Sequence, residues 1–357
     1  MSLKIKFASL KYWIVTHRPQ TIAGAGVLLL LLAGGITYAI LSQPLPKVDT
    51  TPIAAKPKPK PIYYAPLTGL KIENEADRTK PVTAAMIENS PDARPQSGLK
   101  ESEVVYEAVA EGGITRFLVL YQQNKPTLLG PIRSVRPYYV DWVVPYNASV
   151  AHVGGSAAAL KEIRNGNYRD IDQFFNAGTY WRASDRYAPH NVYTSFERLD
   201  ALNAAKGYTK SEPKEFARED VKSSPTLDAA NIQVHISSAT YDSSYVYDST
   251  NKYYVRSQAG APHEDREKGT ITPKVIVVLN TEESTVMEET KRESIQSTGT
   301  GKVHIFQAGT VRAGTWHRAT RDDQFTFTDD AGAEIKLDRG QTWITAIPNN
   351  RGTVTWQ

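Results

Sequence analysis

An uncharged apolar run over residues 21–41, TIAGAGVLLLLLAGGITYAIL, constrains this chain more than any other feature, because it dictates the solvent. At about 1.5 Å per residue, some 20 such residues match the roughly 30 Å hydrocarbon core of a bilayer. Lys4, Lys6, Lys11 and Arg18 precede the run without an acid, which favours a cytoplasmic N-terminus and an extracytoplasmic remainder. Lys47, Lys56, Lys58 and Lys60 on the far side weaken that bias without reversing it. A cleaved signal peptide competes with this reading. Against it, the run exceeds the usual core of about 7–15 residues and no small-x-small cleavage site follows. The expectation is an uncleaved single-pass anchor in the cell membrane, with residues 1–20 cytoplasmic and the bulk outside. The sequence has no cysteine, which excludes a lipid-modified cysteine anchor, disulfide stapling and thiolate chemistry.

Charge divides at the same boundary. Residues 1–60 hold eight Lys or Arg against one acid, whereas the rest holds thirty-four against thirty-seven. The formal net charge of +4 therefore belongs to the anchor and its flank, and no nucleic-acid partner is expected. Residues 42–64 are rich in proline and lysine, a composition that favours an extended polyproline II stalk and cannot build a core. About 290 residues remain beyond it, enough for an ordinary core and for two domains.

The expected fold class is α+β. Strands are predicted over 82–87, 104–110, 115–121 and 150–153 from short β-branched and aromatic runs bounded by turn residues. Between them, Pro137 suits the first turn of a helix reaching about Pro145, and Ser156 the N-cap of a helix through Arg164. Thr194 with Glu197 forms a capping box for a helix ending before Gly207. This makes 65–210 a mixed α/β domain. Residues 211–229 read as a polar linker with some local helix. Beyond them, 230–357 carries closely spaced strand candidates at 232–236, 244–247, 253–256, 275–279, 303–307, 310–316, 325–328 and 342–347, which predict a mainly antiparallel β-rich domain.

Several long ordered stretches carry a resemblance. AAMIENSPDARPQSGL, VVYEAVAEGGITRFLVLY, GPIRSVRPYYVDW, AHVGGS and APHNVYTS resemble the N-terminal domain of the YerB family of bacterial surface lipoproteins. GAPHEDREKG, KVHIFQAGTVRAGTW and GAEIKLDRGQTWITAIP resemble its C-terminal β-rich domain, so the resemblance covers approximately 65–350. It implies a surface-anchored, two-domain bacterial protein of uncharacterised activity, here with a transmembrane anchor in place of the lipid. It brings no catalytic residues.

Chemistry is therefore read from the residues. Glu107, Glu111, Arg116, Arg133, Arg136, Asp141, His152, His190 and Asn191 form the densest constellation. Arg133 and Arg136 offer planar bidentate donors to a carboxylate or phosphate, with Arg116 nearby. The helix start at Gly154, Gly155 and Ser156, beside His152, could add backbone N–H groups to the same anion. Alternatively, the glutamates simply pair with the arginines across the sheet. Period-two alternation puts Glu107 on one strand face with Val105 and Val109, and Glu111 joins it if the strand continues. Paired carboxylates there could hydrolyse a glycan, although the arginines would hold both ionised.

Arg186, His190 and Asn191 make a second candidate loop, and His263 could face His190 across an interdomain cleft. The catalytic candidates are thus Glu107, Glu111, His152, His190 and His263. Ligand-binding candidates are Arg116, Arg133, Arg136, His152, Ser156, Arg186, His190 and Asn191. Tyr138, Tyr139, Trp142, Tyr146, Trp181, Tyr187 and Tyr193 would support sugar binding only if exposed, since a core role is the commoner one. No zinc-protease, P-loop or nucleophile-elbow motif is present. No cofactor is expected, with a divalent metal left open. The leading functional expectation is recognition of an anionic cell-envelope polymer or an envelope protein. A hydrolase or transferase acting on an envelope polymer is the alternative, and a structural scaffold without a small-molecule site the third. Oligomeric state is left open.

Overall fold

The computed structural model describes residues 3–45, 61–222, 224–287 and 291–357. They fall into two units, residues 1–60 and 61–357. In the first, helix α1 (Leu3–Thr16) is followed by α2 (Arg18–Leu41), with a proline in its first turn, where no helical N–H is lost. Helix α2 is long and apolar enough to cross a membrane, and none of its apolar window is buried, unlike a core helix. It fits a signal anchor. Most of the expected stalk lies outside the described residues. The second unit begins earlier than expected, because Tyr63–Tyr64 already pairs with Lys71–Ile72.

Among the described residues of the second unit, the main feature is one ten-stranded sheet. The N-terminal region contributes β1 (Thr83–Glu88), β2 (Val104–Glu111), β3 (Ile114–Tyr121), β4 (Ser149–His152) and β5 (Arg169–Asp172). The C-terminal region first builds β6 (Asn231–His235), β7 (Ser243–Asp248), β8 (Tyr253–Gln258) and β9 (Ala261–Pro262). It then supplies β10 (Val275–Thr281), β11 (Gly299–Gln307), β12 (Thr310–Arg318), β13 (Thr326–Thr328), β14 (Thr342–Pro348) and β15 (Thr353–Trp356). The large sheet runs β13-β12-β11-β10-β14-β2-β3-β1-β4-β5, and a five-stranded sheet runs β9-β8-β7-β6-β15. Strand 169–172 and strand 353–356 were not expected from the sequence.

The α+β class is as read: a helix-bearing first region and a mainly antiparallel, β-rich second one. Their independence is not. Parallel pairing of β14 with β2, from Thr342 opposite Val104 to Thr345 opposite Glu107, makes one sheet of both regions. The segment expected to be a linker is also packed in. Phe216 is buried, Ser211 accepts the Val82 N–H, and Arg218–Glu219 pairs with Leu337–Asp338. No helix occurs there among the described residues. The turn residues there lack apolar periodicity, so the sequence pattern shows no strand, yet the buried Phe216 and the Ser211 and Arg218 contacts pack the segment onto the core.

Alternation along the strands sorts the core. Val275, Val277 and Leu279 join Val104, Tyr106 and Ala108 in a cluster with α3 (Pro137–Val143) and α4 (Ala157–Asn165), whereas Ile276 and Val278 pack with residues of the five-stranded sheet. Ser156 caps α4 as expected, accepting from Ala159 N–H at 3.4 Å. Helix α5 (Phe196–Ala205) starts one residue later than predicted: Ser195, not Thr194, is its cap and accepts from Arg198 N–H. Thr194 instead exchanges backbone bonds with Leu129.

Candidate functional site

The expected constellation separates into two sets on opposite faces of β2. Val109 and Glu111 flank a bulge, which inserts one residue and reverses the alternation. Glu111 accordingly leaves the Glu107 face and meets Arg116 at 3.1 Å, Arg136 at 2.5 Å and Arg292 at 2.8 Å. Burial works to raise its pKa, but the guanidiniums of Arg116 and Arg136 outweigh it and hold the carboxyl at about 2. Glu107 is buried on the other face, where Arg256 Nη2 lies 2.9 Å from its Oε2 and Trp343 Nε1–H donates to the same oxygen. The two glutamates do not form a carboxylate pair for glycan chemistry, because each is committed to arginine.

The glycine turn is likewise filled by the protein itself. Gly154 N–H donates to Asp172 Oδ1 at 3.1 Å, and Ser156 N–H donates to Val135 O. His152 is buried, with Nδ1 at 2.8 Å from Gly154 O and Nε2 at 3.0 Å from Asp170. Arg116 and Arg136 are buried as well, and Arg133 turns toward Glu88 at 3.2 Å. The anion expected at this turn is thus Asp172, a carboxylate from strand 169–172 that the sequence pattern did not show. Tyr138, Tyr139, Trp142 and Tyr146 are core residues, and the three tyrosine hydroxyls bond Val109 O, Ala108 O, Arg116 O and the Tyr106 hydroxyl. They offer no sugar-binding face.

The second candidate loop opens instead on a cleft of about 710 Å³. Its walls come from the segment after β1 (Asp92, Arg94, Pro95), from the 185–190 loop (Asp185, Arg186, Tyr187, Ala188, His190) and from Arg266 of the C-terminal region. Arg186 donates to Asp92 O and Pro95 O, tying the two N-terminal walls together. Asn191 does not face a ligand: it accepts from Arg182 and donates to Ala183 O and Arg186 O, fixing the loop. Arg266 is held by Asp185, whose carboxyl is pulled down by that hydrogen bond. Tyr187 is 91% exposed and is the aromatic face this cleft offers. Trp181 lines a neighbouring hollow of about 340 Å³ that shares Asp185 and Arg266 with the cleft.

His190 lines the cleft, half-buried. Its Nδ1 is 3.0 Å from Oε1 of Glu88, a carboxylate buried at the end of β1, and its Nε2 is 3.9 Å from the exposed Asp92. His263 does not face it. It is buried, and burial together with Arg256 pushes its pKa well below the ordinary value, so the ring is neutral. Arg256 donates to Nδ1, so Nε2 carries the hydrogen and donates to Gln96 Oε1 at 3.1 Å. That orients the Gln96 amide, whose Nε2–H groups bond Glu88 O and Asn89 Oδ1. Arg94 in turn donates to Asn89. A continuous polar chain therefore runs from Glu107 through Arg256, His263, Gln96 and Asn89 to the cleft. Sequence reading missed Glu88, Arg94, Gln96, Arg256 and Arg266. The only local signal was the run of turn residues after β1, which marks a corner but not what the corner faces.

The comparisons with known proteins cover both sides of this cleft. The N-terminal domain of a protein of unknown function, DUF3048, matches residues 67–209, and its C-terminal domain matches 232–344. The chain is a member of the DUF3048 family. The N-terminal match carries Glu88, Arg94, Arg186 and His190, and the C-terminal match carries Arg256, His263 and Arg266. Within the family, the chain is 32% identical over 291 residues to "Putative lipoprotein YerB" of Bacillus subtilis (strain 168), covering 80% of this chain and 86% of that protein. The crystal structure of YerB from Bacillus subtilis superposes with a TM-score of 0.74 at 30% identity, covering 82% of this chain and 99% of that one. Where the relative's name indicates a lipoprotein, this DUF3048 chain has no cysteine and carries the apolar helix α2.

Proposed function

We propose that the protein is a membrane-anchored, extracytoplasmic binding protein whose cleft recognises an anionic group of a cell-envelope polymer. The observation that carries this reading is the convergence of Arg94, Arg186, Arg266 and His190 on one 710 Å³ opening, where three guanidiniums outnumber the carboxylates of Asp92 and Asp185. Guanidiniums present five N–H donors each, more than the carbonyl and carboxylate contacts described above consume, and planar forks suit carboxylate or phosphate oxygens. Exposed Tyr187 adds an apolar face beside them, suited to a sugar ring.

Replacing Arg186 and Arg266 together by glutamine should weaken binding of a polyanionic wall polymer by about tenfold per charge removed. The difference should shrink at high salt, where screening takes over. Isotherms at low and high salt measure it, with a thermal melt as the fold control. Equal low-salt affinity of a folded variant would remove the cleft as the recognition site.

The basic, acid-free flank before α2 supports a cytoplasmic N-terminus. Protease added to intact cells should then digest residues 61–357 and leave a small membrane-bound fragment. Full protection of the folded unit would reverse the orientation. A second reading, catalysis on the same polymer, is favoured by one specific contact, the Glu88–His190 pair.

A further inference from the structure

We propose that His190 is a proton-transfer residue, positioned by Glu88, and that the cleft hydrolyses a carboxylic ester borne by an anionic envelope polymer. This rests on the cleft being the recognition site. Glu88 is 3% exposed, and its Oε1 meets His190 Nδ1 at 3.0 Å, Ser90 Oγ at 3.0 Å and Arg133 Nε at 3.2 Å. Its Oε2 is buried without a hydrogen-bond partner. A buried carboxylate accepting from Nδ1–H fixes the tautomer and the ring plane, and leaves the Nε2 lone pair on the cleft side. That is the arrangement a general base requires. Ser90 Oγ also lies 3.2 Å from His190 Nδ1, but it is not the nucleophile: that nitrogen is the one turned to Glu88, the hydroxyl donates to Glu88, and the residue is 7% exposed.

The class of reaction follows from what the cleft offers. Glycoside hydrolysis asks for two carboxyl groups, one of them protonated. Of the cleft's two carboxyls, Asp185 is held ionised by Arg266, and Asp92 is open to solvent without the burial a general acid requires, so neither serves as that acid. Acyl transfer through a tetrahedral intermediate needs only one imidazole, used twice. Water adds to the acyl carbon as Nε2 takes its proton, and the carbonyl π pair moves onto oxygen. The intermediate then expels the alcohol oxygen with the bonding pair, and that oxygen takes the proton back from Nε2–H. Ester and water become carboxylate, alcohol and a released proton, while the Nδ1–H bond to Glu88 persists throughout. Arg186 and Arg94 supply cationic donors for the oxyanion and for the neighbouring negative charge of the polymer.

The test uses the full chain in detergent with 4-nitrophenyl hydrogen succinate, an ester bearing a carboxylate, and 4-nitrophenyl acetate as its neutral counterpart. His190→Gln, whose amide still donates to Glu88, should lower kcat by at least about 100-fold. Glu88→Gln should lower kcat by about 100-fold with KM unchanged, and Glu88→Asp should restore part of it, as loss of positioning predicts. Arg186→Gln should lower kcat for both esters, as loss of an oxyanion donor predicts, and should raise KM for the succinate alone. Thermal melts identify variants that fail to fold, and for these the comparison rests on His190→Gln and Arg186→Gln. Equal rates for the wild type and His190→Gln overturn catalysis. Retained polyanion binding in that case preserves the recognition reading, whereas loss of neither binding nor rate in the arginine variants removes both.

Discussion

A fragment ending at residue 222 is expected not to fold, although it contains a complete family domain. Strand β2 would lose β14, leaving the paired backbone from Val104 to Glu107 with an open edge in the middle of a sheet. Glu107 would lose both Arg256 and Trp343, and Val105 and Phe117 would lose the buried Trp343 ring that packs in their cluster. Unsatisfied buried groups cost about 1–3 kcal/mol each, and exposing a large buried side chain a similar amount, against a total stability of only about 5–15 kcal/mol. Circular dichroism during urea titration of fragments 61–222 and 224–357 should show no cooperative transition for either alone. The intact chain should unfold its 61–357 unit in one step. A sharp transition in the isolated 61–222 fragment would establish independent domains and contradict the shared-sheet account.

Replacing Glu107 by alanine should destabilise the unit by about 3–5 kcal/mol, the cost of stranding one member of a fully buried ion pair. Arg256 is buried beneath the Trp343 ring, 4.3 Å from its centroid. Burial works to lower its pKa, but Tyr245 and Glu107 more than compensate and raise it. Without Glu107 the buried guanidinium keeps only the neutral Tyr245 hydroxyl and His263 ring as partners, with no counter-charge, and the chain through His263 and Gln96 to the cleft loses its anchor. A second variant separates charge from packing: Glu107→Met with Arg256→Met should recover most of the loss, since matched apolar replacement of a buried pair is often close to neutral. Urea midpoints of the single and double variants measure both. A single-variant loss below about 1 kcal/mol would show that the pair does not hold the two regions together.

Local pattern made much of the secondary structure legible. The Ser156 cap and the strands around 104–110, 275–279 and 342–347 follow from residues within one element, whose apolar alternation and turn chemistry need no knowledge of distant partners. The same reasoning misplaced Glu111, because a one-residue bulge shifts every later side chain to the other face and leaves no mark in composition. It also overvalued Arg133, Arg136 and the Gly154–Gly155 turn, since charge density cannot distinguish donors awaiting a ligand from donors already paired. Asp172, which fills that turn, comes from strand 169–172, whose RDID sequence has no strand periodicity. Of the second loop, Arg186 and His190 were legible as chemistry, whereas Glu88, Arg94 and Arg266 acquire meaning only through contact.

By itself the sequence determined the apolar helix near the N-terminus, the lack of thiol chemistry, the α+β class and the family. Those depend on composition, on short-range periodicity, or on ordered similarity along the chain. Only the tertiary structure decided that β14 inserts beside β2, which joins residues more than 230 positions apart, and that Glu88 lies behind His190. Parallel pairing across such a separation is set by which buried faces match, a global packing condition that no local window of residues contains.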